Sequence, residues 1–127
     1  MNQALELHHS LLLRSACDGG MARLTLQAII HESWGTPGVD PGEVWLQMAQ
    51  ITMTGVTSAP FKSFENETIS GGSLRIGRRI EENILPLPIH HTDSPELILN
   101  LASCFRLSIV GTTIQIELGS TRQYLQP

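Results

Sequence analysis

Apolar and polar residues alternate with a period of two along the stretch from Leu97 to Leu118. The odd positions as far as residue 109 are large and apolar except at Ser103. In a β-strand this period places an apolar row on one face and a polar row on the other. Gly111-Thr112 offers a turn, because glycine tolerates the positive φ of tight hairpin loops, and beyond it the apolar residues fall on even positions. The pattern predicts a two-strand antiparallel hairpin whose apolar face packs on other strands, since a lone hairpin is marginal in water.

A second hairpin is predicted near the N-terminus. Residues 5–16 fit either a buried strand or a short helix, because the run Leu11-Leu12-Leu13 has no decisive period. Asp18-Gly19-Gly20 is a hairpin turn signal, and apolar residues alternate again from Leu24 to Ile30. Two strands joined by Cys17–Gly20 explain both halves more simply than a helix does.

The next segments predict a loop and a third strand. Three glycines and two prolines lie between Trp34 and Gly42, and such a segment forms a long loop because proline lacks the donor that a ladder needs. A strand follows from Glu43 to Thr54. Its apolar residues change from even to odd positions near Ala49-Gln50, which favours a β-bulge there. The alternative is a strand buried on both faces around Trp45.

The remaining segments carry weaker signals. Residues 59–64, with Phe61 and Phe64, suggest a turn and a short packed piece, and residues 65–68 are polar and expected to be exposed. Gly71-Gly72 predicts a break, and residues 73–80 a weak strand. Three prolines make residues 81–95 extended, as a sheet edge or a crossover. The polar tail 119–127 is predicted to fray.

Together these patterns predict an all-β fold. We expect an antiparallel β-sandwich or open barrel of about six or seven strands, since short strands alternate with Gly/Pro turns. A short helix within residues 56–70 would not change that class. The 127 residues fit one domain, and a chain of this length removes roughly two-thirds of its unfolded surface from water.

Composition and charge limit the function. The net charge of −4, with 8 basic and 12 acidic residues, argues against a nucleic-acid binder, whose phosphate contacts need excess Lys and Arg. No apolar run approaches the roughly 20 residues of a spanning helix. The N-terminus shows no signal peptide, so the expected location is cytoplasmic, where Cys17 and Cys104 are reduced packing residues rather than a disulfide or zinc site.

Catalytic and metal-binding patterns are thin. His8, His31, His91 and Asp93 could in principle converge on a metal, but no spacing requires it, and neighbouring residues of a strand face opposite ways. Ser10 and Ser94 adjoin His9 and Asp93 without triad geometry, and a thiol inside an apolar strand, as expected for Cys104, is inert. We therefore expect no enzyme activity, no cofactor and no metal.

Two groups of residues are candidate binding residues. Arg75, Arg78 and Arg79 follow Gly71-Gly72 and would meet an anion through paired N–H groups, although Glu81-Glu82 offers to neutralise them and a solvated charged face is the commoner structure. Trp34 and Trp45 flank the Gly/Pro loop, and tryptophan dominates protein-interface hot spots. The alternative is that Trp45 is core and Trp34 covers a sheet edge.

One resemblance adds to these patterns. Residues 7–26, with Leu7-His8-His9-Ser10, the turn Asp18-Gly19-Gly20 and Leu24-Thr25-Leu26, resemble the start of small all-β immunity proteins of bacterial polymorphic toxin systems. The closing segment Phe105–Glu117 is also similar to theirs. This sequence has His9 where those proteins are expected to carry an acidic residue. The resemblance implies a binder that masks a toxin and has no chemistry of its own.

Two functional hypotheses follow. The first is a non-enzymatic protein-binding module whose acidic surface and loops, residues 34–42 and 81–95, hold another protein. It would be either an immunity-type inhibitor or a homodimer paired through a sheet edge, with no nucleic-acid or membrane partner. The second is a small β-barrel that binds a small ligand or, through its histidines, a metal.

Overall fold

The protein is all-β, as predicted, and its structure, a computed structural model, describes residues 1–60 and 62–126. The described residues form ten strands rather than six or seven and contain no helix, including those within 56–70. Phe61 and Pro127 lie outside the described residues. The strands are β1 (Asn2–Asp18), β2 (Met21–Ser33), β3 (Glu43–Thr54), β4 (Glu65–Ile76), β5 (Arg79–Glu82), β6 (Ile84–Leu87), β7 (Ile89–His91), β8 (Glu96–Leu101), β9 (Arg106–Val110) and β10 (Thr113–Gln126).

All pairings are antiparallel, in the order β7-β10-β3-β2-β1-β4-β8-β9, with β5 beside β4 and β6 beside β1. The first part of β4, at Glu65–Thr68, pairs with β1, and its later part, at Ile69–Arg75, pairs with β8. β4 thus belongs to both halves of the sheet. One half contains β1, β2, β3, β6, β7 and β10, and the other contains β5, β8 and β9. Leu24 on β2 and Leu99 on β8 are both completely buried in one hydrophobic cluster. In a single open sheet, both faces would be exposed to solvent. The complete burial of Leu24 and Leu99 in one cluster therefore means that the two halves of the sheet pack on each other.

The N-terminal hairpin is confirmed. Asp18 pairs with Met21, and Gly19 and Gly20 between them have φ angles of 58° and 75°. Two positive φ values are those of the two-residue turn that matches the twist of paired strands. On β2 the residues at even positions from 22 to 30 point inward and are completely buried.

The predicted pairing of the C-terminal hairpin is wrong. The stretch from Leu97 to Val110 is itself a hairpin, β8–β9, in which Leu99 pairs with Leu107. Four turn residues, 102–105, separate the two strands, so the apolar residues stay on odd positions through the turn and imitate one long strand. β10 pairs with β3 and β7 instead of β9.

The bulge predicted in β3 is also wrong. β3 keeps a continuous register with β2 from Met21↔Thr54 to Glu32↔Glu43. Its inner row occupies the odd positions throughout, and the apolar side chains at 44, 46 and 48 lie partly exposed on the outer face. The irregularity lies in the neighbouring strand, where β10 shifts register between Leu118 and Arg122.

Two predicted interruptions are continuous strand. Gly71 and Gly72 lie within β4, and a Cβ at Gly72 would collide with the backbone oxygen of Ile98 on β8, so the glycine permits close strand packing rather than a break. The tail was expected to fray but forms a strand instead, since β10 runs to Gln126 and Tyr124 pairs with Trp45. The proline-rich segment is extended as predicted, with β6 on β1 and β7 at an edge.

Candidate functional site

The loop that joins β2 to β3, residues 34–42, carries the most exposed large apolar side chains of the described residues. Trp34 is 84% exposed and Val39 is 77% exposed. The two strands pair up to Glu32↔Glu43, so the loop projects from the end of a long hairpin. It therefore presents an aromatic and a branched aliphatic side chain beyond the packed core.

Hydrogen bonds hold the 34–42 loop in one conformation. The backbone N–H of Thr36 donates to Oδ2 of Asp40 (2.6 Å), and the N–H of Asp40 donates to the carbonyl of Thr36 (2.8 Å). Nδ2 of Asn2 donates to the carbonyl of Gly35 (2.7 Å), which ties the loop to β1. Gly38 supplies the positive φ of 85° that the turn requires. Bonds within the loop and to β1 therefore order it, which lowers the entropy cost of presenting Trp34 to another molecule.

A cleft of about 500 Å³ lies between this loop and the strands β1, β5 and β6. We call it the loop cleft. Its apolar lining comes from Ala4, Pro37, Val39, Ile84, Pro86 and Leu87, and its polar lining includes Glu81 and Glu82. Gly38 lies against Ile84, since a Cβ at Gly38 would be 3.4 Å from Cδ1 of Ile84. The cleft joins an apolar surface to the glutamates of β5 beside the exposed loop.

The surroundings of the loop are acidic. Asp40 and Glu43 line a second cavity of about 280 Å³ on the loop, and Glu81 and Glu82 line the loop cleft. Within the part of the chain that the structure describes, Glu81 has an ion pair, with Arg79 at 3.3 Å, whereas Asp40, Glu43 and Glu82 have none. This end of the molecule therefore carries excess negative charge.

Trp45 lies in a half-buried cluster on the inner face, near the same end of the sheet. Its ring packs edge-on against Tyr124, with centroids 5.1 Å apart, and the guanidinium of Arg122 lies 3.8 Å above it. Arg122 Nη1 also contacts Oε2 of the buried Glu32 at 2.8 Å, and Nε2 of Gln3 donates to the same oxygen at 2.7 Å. The cluster connects β1, β2, β3 and β10.

Glu32 is the titratable centre of that cluster. Burial alone would raise its pKa, but the hydrogen bonds from Gln3 and Arg122 and the charge of the guanidinium hold the pKa below its usual range. Glu32 is therefore a carboxylate that fixes Arg122 over Trp45. Trp34 and Trp45, which the sequence groups together, differ accordingly: Trp34 projects outward and Trp45 packs within the sheet.

The three arginines do not form a free anion site. Arg75 contacts Glu96 at 3.1 Å, and Arg79 contacts Glu81 at 3.3 Å. Arg78 lies exposed in the turn between β4 and β5. Two of the three guanidiniums therefore already have carboxylate partners, of which only Glu81 belongs to the Glu81-Glu82 pair that the sequence offers.

The histidines are not brought together. Within residues 1–60 and 62–126, no three His, Cys, Asp or Glu side chains form a group that would hold a metal ion. His31 contacts Glu6 at 3.0 Å, and His91 lies on β7, which is separated from β1 and its His8 by the strands β10, β3 and β2. His8 and His9 stack on each other at 3.7 Å instead of facing opposite ways, because His9 has a φ of 72° in an irregular part of β1.

Of the cysteines and serines considered as candidate residues, Cys104 lies in a different environment from the one predicted. Cys104 is exposed in the β8–β9 turn with a φ of 72°, not inside an apolar strand. Cys17 is half-buried, and burial raises the pKa of its thiol; both cysteines are free. Ser10 is buried, and its Oγ accepts from the N–H of Ile29 at 3.0 Å, so it bridges two strands.

Sequence reasoning missed Val39, the loop cleft and the partners of Trp45. The cleft is formed by three separate segments, residues 2–4, 35–39 and 81–87, whose approach depends on the β1–β6 pairing, and no local pattern encodes that pairing. Arg122 and Tyr124 lie in the segment expected to fray. The exposure of the loop, by contrast, was signalled by its glycines and prolines.

No helix among the described residues has the length and apolar character needed to cross a bilayer. Comparison with protein-family models, with curated proteins and with solved structures finds no match to this chain.

Proposed function

We propose that this chain is a non-enzymatic protein-binding module that contacts its partner through the 34–42 loop. The observation that carries the proposal is the 84% exposure of Trp34 on a loop held by hydrogen bonds within the loop and to β1. A tryptophan exposed to this extent gains a large apolar contact on binding, and aromatic anchors of this kind dominate interface energies. Val39 on the same loop extends the apolar contact.

One class of partner is a toxin domain, which follows from the resemblance of the N-terminal hairpin to immunity proteins. An inhibitor of that kind needs a rigid surface and no chemistry, and the hydrogen-bonded loop on a long hairpin supports such a role. A second copy of the chain is the other partner considered, paired through a sheet edge.

Small-ligand binding is the second candidate function. The loop cleft, at about 500 Å³, has the volume of a small-molecule site. The metal version of this hypothesis has no support in the described residues, because their possible ligands do not form a group.

Native mass spectrometry of the chain purified from its own host, without chelator, tests the proposal. We expect a complex with another protein, or a dimer, that Trp34→Ala weakens by roughly 30-fold or more, the effect of losing a hot-spot side chain. Phe105→Ala is the matched control, because Phe105 is an exposed aromatic residue in the other half of the sheet.

Two results would count against this function. The first is a complex that forms equally well with Trp34→Ala. The second is a chain that carries only a bound small molecule, which would favour the ligand-binding function. Thermal unfolding of each variant must accompany the measurement, so that lost binding is not mistaken for lost folding.

A further inference from the structure

We infer that the partner inserts a basic side chain, flanked by apolar residues, into the loop cleft. This inference rests on the proposed protein-binding function and names the chemistry of the partner segment. It follows from the two kinds of surface that the cleft combines, an apolar lining and a polar rim that includes Glu81 and Glu82.

The apolar lining suits the stem of a long cationic side chain. Pro37 and Val39 contribute from the loop, and Ile84, Pro86 and Leu87 from β6. Lysine and arginine cover apolar surface with their methylene groups while the charged group stays in water or meets a carboxylate. A purely apolar segment would use the lining but leave the rim without a partner.

The rim selects a positive charge. Glu82 is exposed and has no ion pair in the described part of the chain. Glu81 shares its charge with Arg79, so Glu82 is the carboxylate free to bind an incoming cation. Asp40 and Glu43 on the opposite side of the loop add to the negative field, as does the net charge of −4. Such a field attracts basic segments and repels acidic ones.

The same charge disfavours a second copy as the occupant of the cleft. Two copies would each bring a net charge of −4, and like-charged surfaces oppose association. The occupant we commit to is therefore a basic segment of a different protein.

The test uses three nine-residue peptides and NMR titration of the full-length chain. In the first peptide, two adjacent arginines follow a leucine and precede a proline. The second and third peptides have the same sequence, with both arginines replaced by glutamine and by glutamate, respectively. We expect only the arginine peptide to shift the backbone amides of Ala4, Gly35 and Leu87, which line the cleft. High salt should weaken its binding, because exposed charges are screened.

Glu82→Gln should weaken binding of the arginine peptide by about two- to fivefold, the range of an exposed ion pair. Glu117→Gln is the matched control, because Glu117 is an exposed carboxylate on β10, outside the cleft. The inference is overturned if the glutamine peptide binds equally well, if the shifts lie elsewhere, if Glu82→Gln has no effect, or if no peptide binds at millimolar concentration.

The native partner separates this inference from the proposed function. If Trp34→Ala weakens the native complex while Glu82→Gln and high salt do not, the chain binds protein through its loop and the basic-segment inference fails. If Trp34→Ala has no effect, the proposed function itself fails. Self-association that competes with the arginine peptide would assign the cleft to a second copy and overturn the inference.

Discussion

At the scale of single residues, Gly38 decides whether the 34–42 loop keeps its conformation. Its φ of 85° lies in the left-handed region, and an added Cβ would be 3.4 Å from Ile84. We expect Gly38→Ala to lower the free energy of unfolding by about 1–2 kcal/mol, the cost of that conformation for a residue with a Cβ. Urea-induced unfolding measures the change.

Gly71→Ala is the control for this prediction, because Gly71 lies in β4 at a negative φ with nothing within 4 Å of an added Cβ. It should leave the free energy of unfolding unchanged or slightly raised, since glycine in a strand costs backbone entropy. Equal losses in the two variants would contradict a special role for the conformation at Gly38.

Glu32 makes stability depend on pH. Its pKa is lowered in the folded state by Gln3 and Arg122, whereas the unfolded chain has an ordinary value of about 4.3. The stabilisation is therefore present above about pH 4.3 and is lost as the pH falls through the folded-state value. We expect Glu32→Gln to cost about 1–3 kcal/mol at pH 7, and the difference from the unsubstituted chain to shrink at pH 3.

Unfolding of both proteins at pH 7 and pH 3 measures that difference. Glu117→Gln, which removes an exposed carboxylate that has no ion pair in the described residues, serves as the control and should show a much smaller pH-dependent change. A penalty for Glu32→Gln that stays the same at both pH values would mean that its charge does not stabilise the fold.

At the scale of elements, the second half of β10 matters most for the end of the sheet that carries the loop. Removing residues 119–127 would take Arg122 from Glu32 and Tyr124 from Trp45. We expect a loss of about 3 kcal/mol or more, because a buried carboxylate would lose its cation and an aromatic pair would be broken. Differential scanning calorimetry of the shortened chain tests this expectation.

Arg122→Gln in the full-length chain measures the share of the ion pair in that loss. If the shortened chain melts at the same temperature as the full-length chain, the second half of β10 contributes nothing, as the expectation of a frayed tail implied. If Arg122→Gln alone reproduces the whole loss, the Trp45–Tyr124 contact is unimportant.

The elements also show which parts of the fold the sequence can specify. The Asp18-Gly19-Gly20 turn identified β1 and β2 because positive φ at both glycines is a local requirement. The stretch Leu97–Val110 was predicted as one strand because Leu99 and Leu107 both fall on odd positions on either side of a four-residue turn. The change of pattern in β3 misled because Val44, Leu46 and Met48 are partly exposed apolar residues, and burial is not readable from residue type alone.

The candidate site was predicted only in part, because local sequence patterns do not reveal which distant strands pair. Trp34 and the loop follow from local composition, whereas the cleft depends on β6 pairing with β1, where Gln3 meets Leu87. That pairing joins residues far apart in the chain. The signal for it would be covariation between positions, which a single sequence does not contain.

At the scale of the whole molecule, one strand couples the two halves of the sheet. β4 pairs with β1 in one half and with β8 in the other, and the buried side chains of both halves form one cluster. Neither half can unfold without exposing the apolar face of the other. We therefore expect one cooperative unfolding transition, with equal calorimetric and van't Hoff enthalpies.

Two local probes sharpen this last prediction. Fluorescence of Trp45 reports on the end of β3 where it packs against Tyr124, in a chain carrying Trp34→Phe so that the exposed tryptophan does not contribute. Hydrogen exchange at Leu99 and Leu107 reports on β8 and β9. Both should give the same free energy of unfolding within about 0.5 kcal/mol, since the buried cluster is shared. A lower value at β8–β9 would mean that this hairpin opens independently, and that the loop end of the sheet keeps its structure without it.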